Sequence, residues 1–388
     1  MKRRLWIRLT PLIAATGGCV ALTVAIAAPH VPALVWEGYP SAVWPARGAF
    51  ATIDSVSRPA SFSPSPSLTL APALAEAHAK RGTHALLVYQ RGALRLAHYA
   101  PGFDAHTRFN SFSMSKALVG ALALKAHADG LLPDLSAPVG PYLPDAPESV
   151  RAVPIQAFLD MQSGIGLEPA KSASHPSAKD QAGKVYDRVF GGMGVLHHGG
   201  LEAVLSDLRA DPAALGAHSY QNVNTAILAT VLERLHKRPI ADALSGTIWK
   251  PAGAAEAYWR RPAGDARVGG YCCLYATAED WLRVGLYIMR NGEGGAPFLP
   301  EPLWRRFLGS DLAATALRAG VYRDHLGHDI LDRPGEPLHG GFAYFLGSGG
   351  QITYLMPDKD LVVVRFGERM PPLHSTLYEL ARAGVIVN

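Results

Sequence analysis

The chain has 388 residues, 48% hydrophobic, 18% charged and 9% aromatic, a composition that buries a core and excludes a disordered protein; its 39 Gly and 30 Pro follow no collagen-like period. At roughly 100–200 residues per domain, the length fits one large domain or two modest ones and excludes a single small module. The formal charge of +5 falls to +1 once Lys2, Arg3, Arg4 and Arg8 are set aside, so no basic face is left for nucleic acid.

Those four cations open a targeting segment. Residues 9–36 contain no Asp, Glu, Lys or Arg, and 12–28 are the most apolar, so residues 1–36 read as a signal peptide or membrane anchor, with the anchor preferred. The small-x-small triplet Ala25-Ile26-Ala27 carries the cleavage reading, and Cys19, preceded by Thr16, Gly17 and Gly18, does not make a convincing lipid site. Positive charge on the N-terminal side places everything after Glu37 across the membrane. The body is therefore expected to be extracytoplasmic, periplasmic or secreted, with the membrane as a partner through this segment. Residues 37–67 read as a linker, because 55–67 are rich in Ser and Pro; the folded domain is expected over 68–388.

Within that domain the spacing predicts a short helix over 73–81, then a hairpin of 84–89 and 94–99 around Gln90-Arg91-Gly92. Helical patterns follow over 116–129, 155–161, 201–208, 226–235, 240–248 and 277–290, the last with Thr277 and Asp280 as caps. A second strand pair, 351–356 and 361–366, flanks Pro357-Asp358-Lys359-Asp360. Residues 168–200 have little periodicity and read as a long loop or lid candidate. Strands at both ends with helices between them predict an α+β fold: one antiparallel sheet shared by the N- and C-terminal segments, helices packed on it, and an inserted helical region. Three cysteines are too few for a disulfide framework, and the adjacent Cys272 and Cys273 read as two small apolar side chains.

The sharpest chemical signal is Ser111-Phe112-Ser113-Met114-Ser115-Lys116, which contains S-x-x-K just before a helix. Residues three apart share a helical face, so the Lys116 amine can reach the Ser113 hydroxyl and take its proton, provided an apolar helix desolvates it. A second element, Tyr220-Gln221-Asn222, is Y-x-N before another apolar helix: a phenol near an ammonium can relay a proton, and an amide can orient lysine and substrate. A third, Gly347-Ser348-Gly349-Gly350-Gln351 leading into a strand, lets a substrate carbonyl approach backbone N–H groups. Set against these are ordinary structural roles: a packed tyrosine, an Asn helix cap and a glycine turn.

In this order the three elements resemble the serine β-lactamase and penicillin-recognising superfamily, most closely its class C-like branch, and within it the 6-aminohexanoate-dimer hydrolases and related esterases. The likeness spans about 70–367 and includes SFSMSKALVGALALKAHADG, VPIQAFLDMQSGIG and GSGGQITYLMPDKDLVVVRFG. It implies a β-lactamase/D,D-peptidase-like fold, Ser113 as acylated nucleophile, Lys116 as its general base, Tyr220 as proton relay and Asn222 as a polar partner. It also implies an oxyanion hole made by the backbone N–H groups of Ser113 and Ser348. One departure matters: the K-S-G or K-T-G of the penicillin-cleaving members, whose lysine holds a substrate carboxylate, occurs nowhere in the chain. The resemblance therefore implies a small neutral ester or amide as substrate and no cofactor. The alternatives are a β-lactamase or D,D-peptidase and a non-catalytic membrane-anchored binding or sensor module.

Other candidates are weaker. His325, His328 and Asp329 lack a recognised metal spacing and read as a solvated polar loop, so no metal is expected. His197, His198 and His374 read as structural or exposed. The nucleophile elbow G-x-S-x-G is absent, which disfavours a Ser-His-Asp hydrolase.

Overall fold

The protein is described by a computed structural model covering residues 26, 28–38, 41–56, 62, 68–167, 191–264, 266–292 and 295–388. The expected targeting segment up to residue 25 and the 168–190 part of the expected loop lie outside the described residues. Among the described residues no helix is long and apolar enough to cross a membrane.

The expected sharing of a sheet by the two ends of the chain is observed. A seven-stranded antiparallel sheet has the order β3-β2-β11-β10-β9-β8-β7. The N-terminal hairpin supplies β2 (Thr83–Gln90) and β3 (Ala93–Tyr99). The C-terminal half supplies β7 (Val321–Arg323), β8 (Leu326–Leu331), β9 (Gly340–Gly347), β10 (Gln351–Met356) and β11 (Leu361–Gly367). The two ends join where Val88 pairs with Val363. Every residue of β11, LVVVRFG, is buried, because this strand is covered on both faces. Val362, Val364 and Phe366 enter the main core, whereas Leu361 and Val363 meet Leu377, Tyr378 and Leu380 of the C-terminal helix Ser375–Arg382.

The helices expected over 73–81, 116–129, 155–161, 226–235, 240–248 and 277–290 fall close to their places, as α2 (Pro72–Lys80), α3 (Ser115–Ala128), α4 (Ile155–Leu159), α6 (Asn222–His236), α7 (Ile240–Leu244) and α8 (Ala278–Met289). Not expected were α1 (His30–Glu37), α9 (Glu301–Phe307), α10 (Ala314–Ala319), α11 (Ser375–Arg382), the single turn Glu148–Arg151, and α5 (Gly192–Gly199), which corrects the end of the stretch read as a loop. Thr277 and Asp280 form the expected capping box on α8. Gly285 lets α8 lie tightly on the sheet, since a Cβ there would sit 3.0 Å from Val362 and 3.1 Å from Thr353. The expected helix over 201–208 is instead two single 3-10 turns, Leu201–Ala203 and Leu205–Asp207, because Val204 (φ −122°) leaves the helical region between them.

Three further expectations are corrected. A second, four-stranded antiparallel sheet, β1-β5-β6-β4, joins β1 (Ala49–Ile53), β4 (Arg108–Asn110), β5 (Ala257–Arg261) and β6 (Leu274–Thr277). Its edge strand β1 lies inside the stretch expected to be a linker, and Ile53 is fully buried, so the folded body begins well before residue 68. His325 and His328 are not in a solvated loop: they belong to the β7–β8 hairpin and are 3% and 0% exposed. Cys272 and Cys273, expected as separate thiols, are joined by a disulfide at a bend where Cys273 adopts φ 71°.

Candidate active site

Ser113 and Lys116 stand at the start of α3. Ser113 lies in the 3-10 turn Phe112–Met114 that runs directly into the helix, and Lys116 is in the helix's first turn. Their spacing of three stacks them on one face. Lys116 is 1% exposed; its Nζ donates to Ser113 Oγ at 2.9 Å and to the Tyr271 carbonyl at 2.8 Å. The same nitrogen is 4.9 Å from the centre of the Tyr220 ring. Burial on this scale disfavours the charged form of an amine, and an uncharged Lys116 in this position can accept the Ser113 proton.

The turn that presents Ser113 is held from several sides. Phe112 is left-handed (φ 45°), a conformation that survives in a bulky residue only where its surroundings over-determine it. Its N–H donates to Asn110 Oδ1 at 2.8 Å, and its carbonyl accepts from the Cys273 N–H at 3.4 Å. Ser115 Oγ donates to the Gly270 carbonyl at 2.9 Å, tying the start of α3 to the same bend.

The glycine-rich turn lies against this structure. A Cβ on Gly347 would sit 2.2 Å from the Ser111 carbonyl oxygen, so only glycine permits the approach. Gly349 and Gly350, both at φ 77°, carry the chain round into β10. The Gln351 amide donates to the carbonyls of Ser348 (2.9 Å) and Gly367 (2.6 Å) and accepts the Gly367 N–H (2.8 Å). Buried Arg365 donates to the Gly350 carbonyl at 2.7 Å. The turn is thus fixed by side chains on β10, which follows it, and on β11, which pairs with β10.

Ser113, Tyr220 and Ser348 all line one cavity of about 490 Å³, and Lys116 is bonded to Ser113 within the protein. Asn222, the first residue of α6, donates from Nδ2 to Met193 Sδ at 3.3 Å and is not among the residues lining the cavity. The cavity is also lined by Tyr322 and Tyr344, which the sequence reading did not select, and by His325, which it placed in a solvated polar loop. Tyr322 meets the Tyr220 ring edge-on at 5.8 Å. Burial, with the Tyr220 phenol beside it, pushes the Tyr322 phenol well above its ordinary range; burial and Asp329 push Tyr344 up to about 12. Both phenols are therefore donors in the cavity wall. Nothing local marks the two tyrosines, since they are brought here by strands that have no clear alternating pattern. A larger cleft of about 610 Å³, lined by Arg234, Lys237, Arg238 and Arg267 among others, offers no nucleophile beside a base, so size does not choose the site.

Comparison with known proteins bears on the family and the fold. Residues 71–386 match the family described as Beta-lactamase. A 6-aminohexanoate-dimer hydrolase of Paenarthrobacter ureafaciens is 27% identical over 224 residues, which is 54% of this chain and 53% of that protein; the chain thus matches about half the length of this curated relative. Among solved structures, one named as a 6-aminohexanoate-dimer hydrolase from Bacillus anthracis superposes with a TM-score of 0.68 at 20% identity, covering 87% of this chain and 90% of that one. A penicillin-binding protein from Bacillus halodurans gives 0.58 at 16% identity, covering 79% and 98%. At these identities the structural matches speak for a shared fold.

Proposed function

The chain belongs to the β-lactamase family, and from that premise we propose that it is a serine hydrolase that cleaves a small, uncharged ester or amide through an acyl-enzyme on Ser113. The observation that carries this reading is the 2.9 Å hydrogen bond from Lys116 Nζ to Ser113 Oγ in a setting where Lys116 is almost wholly buried. The Ser113 hydroxyl proton passes to Lys116 as Oγ bonds to the carbonyl carbon. The carbonyl oxygen takes up the negative charge and is met by backbone N–H groups of Ser113 and Ser348. Collapse of the tetrahedral intermediate breaks the bond to the leaving group, which receives the proton from Lys116 by way of the Tyr220 phenol. Water then attacks the acyl-enzyme with the same groups in reverse roles.

Two observations favour a neutral substrate. The chain has no K-S-G or K-T-G, and among the described residues no lysine or arginine lines the cavity. A substrate carboxylate, such as that of a penicillin, would enter without a cationic partner on that lining. Apolar area dominates the wall instead, through Phe345, Leu346 and Met370.

Intact-mass spectrometry tests the reading: the full chain and Ser113→Ala are each mixed with an activated aryl ester, a linear amide or a penicillin. An acyl adduct from ester or amide that is absent in Ser113→Ala is expected. An adduct and turnover with penicillin alone would replace the substrate class by β-lactams, and binding of any of them without adduct or product would favour a non-catalytic module.

A further inference from the structure

One face of strands β7, β8 and β9 carries a row of residues that the reaction just proposed does not use. Residues paired directly across an antiparallel sheet point to the same face, and Tyr322 of β7 and Tyr344 of β9 are both paired with Gly327 of β8. The row is therefore tyrosine, glycine, tyrosine, and all three line the cavity that holds Ser113. Gly327 lets the row close up. A Cβ there would stand 2.2 Å from Cζ and 2.6 Å from Oη of Tyr344, so the Tyr344 phenol lies across the slot that a β8 side chain would fill, turned from β9 towards the strand of Tyr322.

Both rings are held by their neighbours. Tyr322 has the rings of Tyr220, His218 and His325 at 5.8, 5.5 and 6.3 Å, and Tyr344 packs on Phe342 at 5.8 Å. Both tyrosines are half-buried, and burial raises both phenols, so that they stay protonated. Neither hydroxyl has a hydrogen-bond partner among the described residues. An O–H that is already fixed, and has no bond within the protein to give up, meets a ligand oxygen at little ordering cost. Beside the phenols the wall is apolar. Leu346, two residues on from Tyr344 and so on the same face, is 38% exposed, and Met370 of the same lining is 44% exposed.

We propose that the Tyr322 and Tyr344 phenols bind a second, uncharged carbonyl oxygen of the substrate, remote from the one attacked by Ser113, with Leu346 and Met370 covering the hydrocarbon between the two. The preferred substrates are then diesters, diamides or ester-amides. This inference rests on the reading of Ser113 as nucleophile and deepens it by naming the substrate class. Two O–H donors match the lone pairs of a carbonyl oxygen, and an apolar surface with a few fixed polar groups is the general form of a small-molecule site.

The test measures kcat/KM for mixed nitrophenyl methyl diesters of succinic, adipic and suberic acid, each against the nitrophenyl ester of the simple acid of equal chain length. The full chain, Tyr322→Phe, Tyr344→Phe and the double variant are compared, with Ser113→Ala alongside. The full chain is expected to prefer at least one diester over its simple counterpart. Each phenylalanine should lower that preference by about three- to tenfold, mainly through KM, and the double variant should abolish it. The absence of any preference in the full chain, or equal losses on both members of a pair in the variants, would overturn the inference. Turnover retained in Ser113→Ala would refute the nucleophile instead, and leaves the ratio free to judge the phenols. Should the full chain turn over none of the esters, that reading fails and NMR titration with N,N′-dimethyladipamide decides: weaker binding by the double variant supports the role of the phenols, and equal or absent binding refutes it.

Discussion

The Tyr271 carbonyl oxygen lies 2.8 Å from Nζ of Lys116, with Ser113 Oγ 2.9 Å from the same nitrogen. The amine is thus held between an acceptor that never gives up its lone pairs and a hydroxyl that can lose its proton. Lys116→Met removes a buried amine and leaves an apolar chain of similar length. Loss of a general base costs about 10²–10⁴ in rate, whereas taking the Lys116 donor from the Tyr271 carbonyl costs about 1–3 kcal/mol of stability. Hydrolysis is expected to fall by about 10³ with the fold retained and the thermal midpoint only modestly lower. Unchanged hydrolysis would mean that Lys116 is not the base.

Gly347 provides a second test, because the close approach of β9 to the Ser113 turn depends on it. In Gly347→Ala the new Cβ would stand 2.2 Å from the Ser111 carbonyl oxygen and 3.2 Å from the side chains of Phe112 and Gln351. The turn carrying Ser348 must retreat. Loss of one oxyanion donor costs about 10²–10³ in kcat, and overpacking costs about 1–3 kcal/mol in stability. Gly166→Ala, where a Cβ would meet nothing within 4 Å, serves as the control. Equal kinetics for the two variants would remove Ser348 from the oxyanion site.

How much of this was legible in the sequence follows from the range of the interactions involved. The S-x-x-K pair is local: three residues on one turn bring Ser113 and Lys116 together whatever the rest of the chain does. The hairpin and the C-terminal strand pair were equally visible, since β-branched runs and Pro/Asp turns are local signals. Tyr322 and His325 were not, because they reach the cavity through a hairpin tip fixed by Arg306, Gln156 and Asp160, partners scattered along the sequence. β1 was hidden for a different reason. A five-residue edge strand, AFATI, flanked by Gly and Pro, carries too little pattern to separate it from the linker it adjoins.

Acid sensitivity follows from His78. This ring is 1% exposed, its Nδ1 pairs with Thr83 Oγ1 at 3.2 Å, and burial, assisted by the Arg81 charge, lowers its pKa from 6.5 to about 4. A depressed folded-state pKa means that the unfolded chain takes up the proton first. The stability tied to the neutral ring is complete above pH 6.5, declines as pH falls towards 4 and is flat below. At 1.36 kcal/mol per pH unit this is at most about 3 kcal/mol. Chemical denaturation midpoints are expected to drop across that window, and His78→Gln should flatten the decline. An equally steep decline in His78→Gln would assign the effect to other groups.

Glu37 and Arg260 show why the body cannot be cut at residue 68. The Glu37 carboxylate, 13% exposed, accepts from Arg260 Nε at 3.0 Å and Nη2 at 2.7 Å; Arg260, 7% exposed, also donates to the His197 carbonyl at 2.8 Å. Breaking such a pair from one side strands a buried charge and costs about 3–5 kcal/mol, whereas replacing both partners with apolar groups is often near neutral. Glu37→Met is therefore expected to destabilise the protein by that amount, Arg260→Met to do likewise, and the double variant to recover most of the loss. Removal of residues 1–67 should cost at least as much as Glu37→Met, because it also takes away β1 and with it the buried Ile53. Denaturant unfolding of the five proteins measures this directly. Additive losses in the double variant, or a truncated chain as stable as the full one, would show that α1 and β1 rest on the body without supporting it.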